Sequence, residues 1–193
     1  MIVAREFEIR RLPVGAAADD GLMAELADLV NEVYAVAEEG LWAGGVARTS
    51  VAEIAGYVKA EEIAVALVDG RIAGCVRVRE VDGDTSEFGM LAASPRHRGL
   101  GLGRELVRFA ERLGRAEGRG VMQLELLMPR DWRHPSKEFL AAWYGRIGYR
   151  PVATGVVERD YPHLAPHLAT PCHFVIYRKD LEAVTPHRSN TSS

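Results

Sequence analysis

The stretch Glu87-Phe88-Gly89-Met90-Leu91-Ala92-Ala93-Ser94-Pro95-Arg96-His97-Arg98-Gly99-Leu100-Gly101-Leu102-Gly103 carries the chain from an extended segment into a helical one. Glu87–Ala93 has the apolar content of a strand. Beyond the glycines, Leu106, Val107, Ala110 and Leu113 fall on one face of a helix. Glycine permits tight turns and lets a ligand approach the backbone closely. The first amides of the helix have no partner within it. They can donate to phosphate oxygens, and the helix terminus adds a favourable field. Arg98 adds positive charge, so the turn suits a pyrophosphate. Gly99-Leu100-Gly101 alone is a common sequence, and its surroundings separate the possibilities. A dinucleotide fingerprint would open an early βαβ unit and carry the full GxGxxG spacing. A nucleoside-triphosphate loop would place Gly-Lys-Ser or Gly-Lys-Thr after its spacer. Neither pattern is present.

Working upstream, Ile63–Val68, Ile72–Val81 and Glu87–Ala93 read as consecutive strands, joined by turns at Asp69-Gly70 and Asp82-Gly83-Asp84. Before them, Asp20–Glu39 has the apolar spacing of a helix at Leu22, Leu26, Leu29, Val33 and Val36, with Asp19 or Asp20 as cap. Thr49 or Ser50 caps a shorter helix that runs to about Tyr57, and Glu6–Leu12 reads as an opening strand. Downstream, Gly118 and Gly120 close the helix after the glycine turn. Val121–Leu127 is the next strand, Ser136–Ile147 another helix, and Val152–Val157 and His173–Arg178 the last strands. Helices interleaved with a mixed sheet give an α/β architecture. The expected organisation is one domain over residues 1–184 and a flexible polar tail over 185–193.

The bulk properties exclude several classes. The chain has 193 residues, 48% of them apolar and 26% charged, which is ordinary globular composition. A formal net charge of -3 gives no basic excess for a nucleic-acid partner. No apolar run reaches membrane-spanning length, and the N-terminus lacks the pattern of a secretory signal. Cys75 and Cys172 lie in apolar, strand-like surroundings without metal-binding spacing, so buried unpaired thiols are expected. These features point to a cytoplasmic location.

At this point the chain resembles the GCN5-related N-acetyltransferases (GNAT). The acyl-CoA motif of that family is Arg or Gln, two variable residues, Gly, one variable residue, then Gly or Ala. Here it stands as Arg98-Gly99-Leu100-Gly101-Leu102-Gly103. Leu91-Ala92-Ala93-Ser94-Pro95 resembles the strand before the motif, and Trp143-Tyr144-Gly145-Arg146-Ile147-Gly148-Tyr149 resembles the final helix and aromatic loop. The resemblance runs over roughly residues 6–179. It implies a splayed mixed sheet flanked by helices, with acetyl-CoA as cosubstrate and no metal. It places pantetheine beside the main chain of Leu91 and Ala93, and the pyrophosphate on Arg98, Gly99, Gly101, Leu102 and Gly103. The helix near pantetheine often opens with Asn seven residues before the Tyr. Here that residue is Lys137, which can contact a phosphate, sit in solvent or pair locally. A homodimer is expected through the family alone.

Direct transfer to an amine needs a base and a proton for the leaving sulfur. Tyr144 stands where many relatives place the acid, and its hydroxyl can donate; its bland alternative is aromatic packing. Glu87, at the start of the donor-side strand, is the leading base; otherwise it is a solvent-facing strand end. His134 is a second base candidate, set against a structural role in its loop. Glu38 and Glu39 can attract an ammonium group or simply solubilise a helix end, and Trp42 can wall the acceptor pocket or cover the core. His163 and His167, in the Pro-rich segment 159–171, read as an acceptor-side loop rather than a metal site. Neither cysteine has the setting of an acyl-carrying nucleophile. The expected reaction is acetyl transfer to a primary amine, on a small molecule. Protein or peptide N-acetylation and noncatalytic acyl-CoA binding are the alternatives.

Overall fold

The computed structural model describes residues 7–181, so the expected polar tail over 185–193 lies outside the described residues. One seven-stranded sheet runs in the order β1-β2-β3-β4-β5-β7-β6. Its strands are β1 (Phe7–Arg11), β2 (Ile63–Val68), β3 (Arg71–Glu80), β4 (Thr85–Ala93), β5 (Val121–Pro129), β6 (Arg150–Val156) and β7 (Cys172–Asp180). The helices are α1 (Asp20–Ala37), α2 (Val51–Lys59), α3 (Leu102–Ala116), α4 (Pro135–Arg146) and the single turn α5 (Val157–Asp160).

Local chemistry starts α1 and α2 and turns β2 into β3 where the sequence suggests, whereas α5 forms where a strand end and a loop were expected. Asp19 accepts from the Leu22 amide to open α1. Ser50 and Glu53 form a capping box at α2. Asp69 and Gly70 take positive φ between β2 and β3. The first four strands form an antiparallel meander.

The sheet buries both faces. On one side Phe88, Leu106, Val107, Ala110, Met122 and Leu124 pack with α3 and the aromatic residues of α4. On the other, Met23, Leu26, Val30, Ile54 and Val58 of α1 and α2 pack on Val65, Cys75, Met90 and Ala92.

Two irregularities prepare a site. The pair between β3 and β4 shifts register between Cys75 and Arg77, opposite Met90 and Leu91. Met90 has φ +48°. This bulge exchanges the faces of β4. Before it Phe88 points toward α3; after it Leu91 and Ala93 do so, while Met90 and Ala92 join the α1–α2 side. The second irregularity is a splay. β4 pairs with β5, in parallel, only through Thr85–Val121, Ser86–Met122 and Glu87–Gln123. Beyond Glu87 the β5-facing edge of β4 has no strand partner among the described residues. β7 then enters between β5 and β6, antiparallel to both. Among the described residues no helix is long and apolar enough to cross a membrane.

Candidate active site

The open edge of β4 is defined by its hydrogen bonds. The Ser94 amide donates to the Ala73 carbonyl at 2.8 Å, on the β3 side. Alternation along the strand turns the main chain of Ala93, and of Leu91 two residues earlier, into the splay. Their side chains pack against the core under α3. At the end of β4, Ser94 caps a short 3-10 turn over Pro95–His97. Gly99 and Gly101 then take φ +85° and +73°, and Gly101 forms the left-handed N-cap of α3. Arg98 is exposed beside the turn. Leu102 points its side chain into the core, 3% exposed, so only its amide can serve a ligand. A Cβ added to Gly99, Gly101 or Gly103 would meet nothing within 4 Å. The glycines therefore bound open space above the first amides of α3, which suits a pyrophosphate. The residues present fit CoA: Leu91 and Ala93 by main chain, Arg98 by charge, and Gly99, Gly101, Leu102 and Gly103 by their amides.

A cavity of about 380 Å³ adjoins the splay, lined by Glu87, Glu125, Arg79, Tyr161, Arg77 and Phe174, among others. Glu87 reaches it with both carboxylate oxygens engaged. Oε1 accepts from Arg79 Nε and Nη2 at 2.9 and 2.7 Å, and Oε2 accepts from Gln123 Nε2 at 2.9 Å. Arg178 Nε donates in turn to Gln123 Oε1 at 2.8 Å. Glu125, on β5, accepts one bond from the Tyr161 hydroxyl at 2.5 Å. Burial raises its carboxyl above the ordinary range; the Tyr161 bond offsets this and the Glu87 charge adds to it. Glu125 is not among the candidates expected from sequence. Its signal was a charged residue inside the otherwise apolar strand Leu124-Glu125-Leu126-Leu127.

Tyr144 is 6% exposed, in an aromatic group with Phe88, Trp143, Tyr149 and Tyr177, at ring-centroid distances of 5.0 to 6.4 Å. Burial, with a smaller contribution from Tyr34, pushes its phenol well above the usual range, so it stays protonated. Tyr34 enters from α1 and sets its hydroxyl against the backbone of Leu91. Burial pushes it up to about 12, with Arg48 acting in the opposite sense. Tyr34 is not among the expected candidates either: in sequence it is one residue within the helix Asp20–Glu39, outside the apolar positions that mark its face.

The other candidates have structural partners. Lys137 Nζ donates to Glu38 Oε1 at 2.6 Å, with side chains 3% and 6% exposed. Trp42 Nε1 donates to Glu38 Oε2 at 2.6 Å. Of the uses open to Lys137, local pairing is the one found. Glu38 ties the end of α1 to the start of α4, and with Trp42 it lines a neighbouring cavity of about 500 Å³. Glu39 lines that cavity too. The buried His134 precedes α4 and shares a hydrogen bond with the Glu39 carbonyl at 3.0 Å, lining neither cavity. Segment 159–171 contains a 3-10 turn at Ala165–His167 and covers Leu41 and Leu127 with Tyr161, Leu164 and Leu168. His163 lines the smaller cavity and His167 lines neither. Among the described residues, no group of three or more His, Cys, Asp or Glu side chains could hold a metal ion. Cys75 and Cys172 are free and buried. Burial pushes their thiols up to about 12 and about 11, which suits neither as a nucleophile.

Comparison with known proteins bears on this arrangement. The model of the acetyltransferase (GNAT) family matches residues 47–145, just over half of the chain. No curated protein matches the sequence. Among solved structures, the N-acetylglutamate synthase of Neisseria gonorrhoeae, complexed with coenzyme A and N-acetyl-glutamate, superposes with a TM-score of 0.62 at 17% identity. The match covers 92% of this chain and 35% of that one, so this chain spans about a third of that enzyme's length. The yncA protein of Salmonella typhimurium, solved with acetyl-CoA, gives 0.63 at 15% identity, covering 93% and 96% of the two chains. Ard1 of Thermoplasma volcanium gives 0.61 at 16%, covering 93% and 99%. At these identities the likeness is one of fold.

Proposed function

This chain belongs to the acetyltransferase (GNAT) family, and from that premise we propose that it transfers an acetyl group from acetyl-CoA directly to a primary amine of a small molecule. The observation that carries the reading is the cavity of about 380 Å³ beside the open edge of β4, with the half-buried Glu125 in its wall. That volume is of small-molecule size. Acetyl-CoA supplies the acetyl group as a thioester; the new C–N bond forms as the C–S bond breaks. The attacking amine must be uncharged. Glu125 takes its proton, directly or through water, because burial has made this carboxylate more basic than usual. Glu87, the base expected from sequence, already accepts from Arg79 and Gln123. In this reading it holds the arginine and deepens the negative field around Glu125. The Tyr144 hydroxyl donates a proton to the departing sulfur, its buried phenol remaining protonated. Leu91 and Ala93 offer main-chain groups along the splay, and the amides after Gly101 receive the pyrophosphate.

The test is acetyl-CoA consumption across a pool of basic metabolites, aminoglycosides, amino acids and short peptides, with product masses read in parallel. Acceptor-dependent CoA release with a mass gain on a small amine is expected. Acetylation of peptides alone would replace the small-molecule reading. Acetyl-CoA binding with no product across the pool would point to a noncatalytic role. With an active acceptor, Tyr144→Phe should lower kcat by at least about tenfold, in the usual range for one proton-transfer group. Unchanged kcat would remove the acid role.

A further inference from the structure

Internal pairing accounts for most of the charge around the smaller cavity. Arg77 Nε donates to Glu62 at 2.6 Å, and its guanidinium lies 3.7 Å from the Tyr57 ring centroid. Arg79 is held by Glu87. Glu53 closes the capping box of α2. His163 lies against Tyr161, ring centroids 6.3 Å apart. Two lining groups of opposite sign remain. Glu125 has a phenol, not a cation, as its hydrogen-bond partner. Arg48, exposed in the connection between α1 and α2, has no ion pair or hydrogen bond among the described residues; its guanidinium sits 5.1 Å from the Tyr34 ring centroid. Arg48 lines both cavities, at their junction.

We propose that the acceptor is an amine that also carries an anionic group, a carboxylate or a phosphate, with its nitrogen drawn to Glu125 and its anion to Arg48. The guanidinium fork matches either anion through two parallel N–H bonds. One cation and one carboxylate in the same cavity make a two-point match to a molecule of mixed charge. A polyamine would instead set a second positive charge against Arg48, an unfavourable juxtaposition that disfavours the wrong ligand. The stacking of Arg48 on Tyr34 holds the cation near a phenol that itself reaches Leu91, so anion binding is tied to the wall of the splay. The inference rests on the acetyl-transfer reading for the reaction, and on the charge pattern alone for the ligand.

The experiment uses amines in matched sets: an amino acid, its carboxamide, its decarboxylated amine and the corresponding aminoalkyl phosphonate. Each set is measured on the wild type, Arg48→Gln and Arg48→Lys. CoA release reports transfer, and calorimetric binding to the protein in the presence of CoA reports recognition. A charge-assisted pair at a site that is open before binding should favour the anionic members by about tenfold in kcat/KM and in affinity. Arg48→Gln should erase that preference and Arg48→Lys restore part of it. The ratio of carboxylate to phosphonate turnover decides which anion is read. Turnover and binding of the carboxamide and the decarboxylated amine equal to those of the amino acid and the phosphonate in the wild type would overturn the proposal while leaving acetyl transfer intact. A preference that survives Arg48→Gln would overturn it too. Arg48-dependent binding of anionic amines without CoA release would uphold the ligand class and sink the transfer reading. No binding and no transfer for any set would sink both.

Discussion

Glu125 stands half-buried in β5 beside a second carboxylate, and this position sets two pH dependences of opposite benefit. As the base it must be ionised, so kcat/KM should fall as pH drops through a carboxyl pKa above the ordinary range. Glu125→Gln should abolish that limb and lower kcat by about a hundredfold, the scale of one general base. For the fold the sign reverses. A carboxyl whose pKa is raised on folding adds stability below its unfolded pKa and loses it as pH rises through the folded value. At neutral pH the ionised form is therefore a cost, and Glu125→Gln should raise Tm at pH 7 with little effect near pH 4. A lower Tm at pH 7 would contradict this. The glycine turn before α3 was legible in sequence because glycines before a helix have a local conformational meaning. The settings of Glu125 and Tyr34 were not, because each is defined by neighbours far along the chain, Tyr161 for the one and Leu91 for the other. Lys137 shows the same limit: its position was marked, but its partner Glu38 lies 99 residues away.

Two elements can be tested through single positions. Gly103 is in the first turn of α3, and a Cβ there meets no protein atom within 4 Å. Gly103→Gln should leave thermal unfolding unchanged or slightly improved, since Gly is a poor helix residue by about 1 kcal/mol. It should weaken acetyl-CoA binding by at least about tenfold, because its side chain projects into the open space where the proposed reading puts the pyrophosphate. Equal affinity, read by calorimetry, would move the phosphate site elsewhere. Helices α1 and α4 are tied by the Lys137–Glu38 pair, reinforced by Trp42. Lys137→Met would leave a buried carboxylate with only the indole donor, costing about 3 kcal/mol in urea unfolding. The double variant Lys137→Met, Glu38→Leu should recover much of that loss, and no recovery would show that the pair contributes more than charge compensation. The start of α2 followed from its cap, Thr49 or Ser50 in sequence and Ser50 in the structure; the cap's partner Glu53 was not marked. The bulge at Met90 did not, because a positive φ at a methionine is imposed by the register of β3 against β4.

For the whole molecule, the hairpins joining β2, β3 and β4 could be read from turn residues and alternation, whereas the pairing of β1 with β2 spans two helices and could not. The family resemblance supplied the splay. The entry of β7 between β5 and β6 depends on pairings distant in sequence, and no local pattern encodes it. The three residue pairs joining β4 to β5 leave one strand with two unlike edges. In hydrogen-exchange terms this is a comb with alternate teeth covered. The Ser94 amide, bonded to Ala73, should exchange slowly in the free protein, and the Ala93 amide, turned into the splay, should exchange fast. Acetyl-CoA should slow Ala93 far more than Ser94. Neighbouring amides on one strand would then report separately on whether the chain is folded and whether it is loaded.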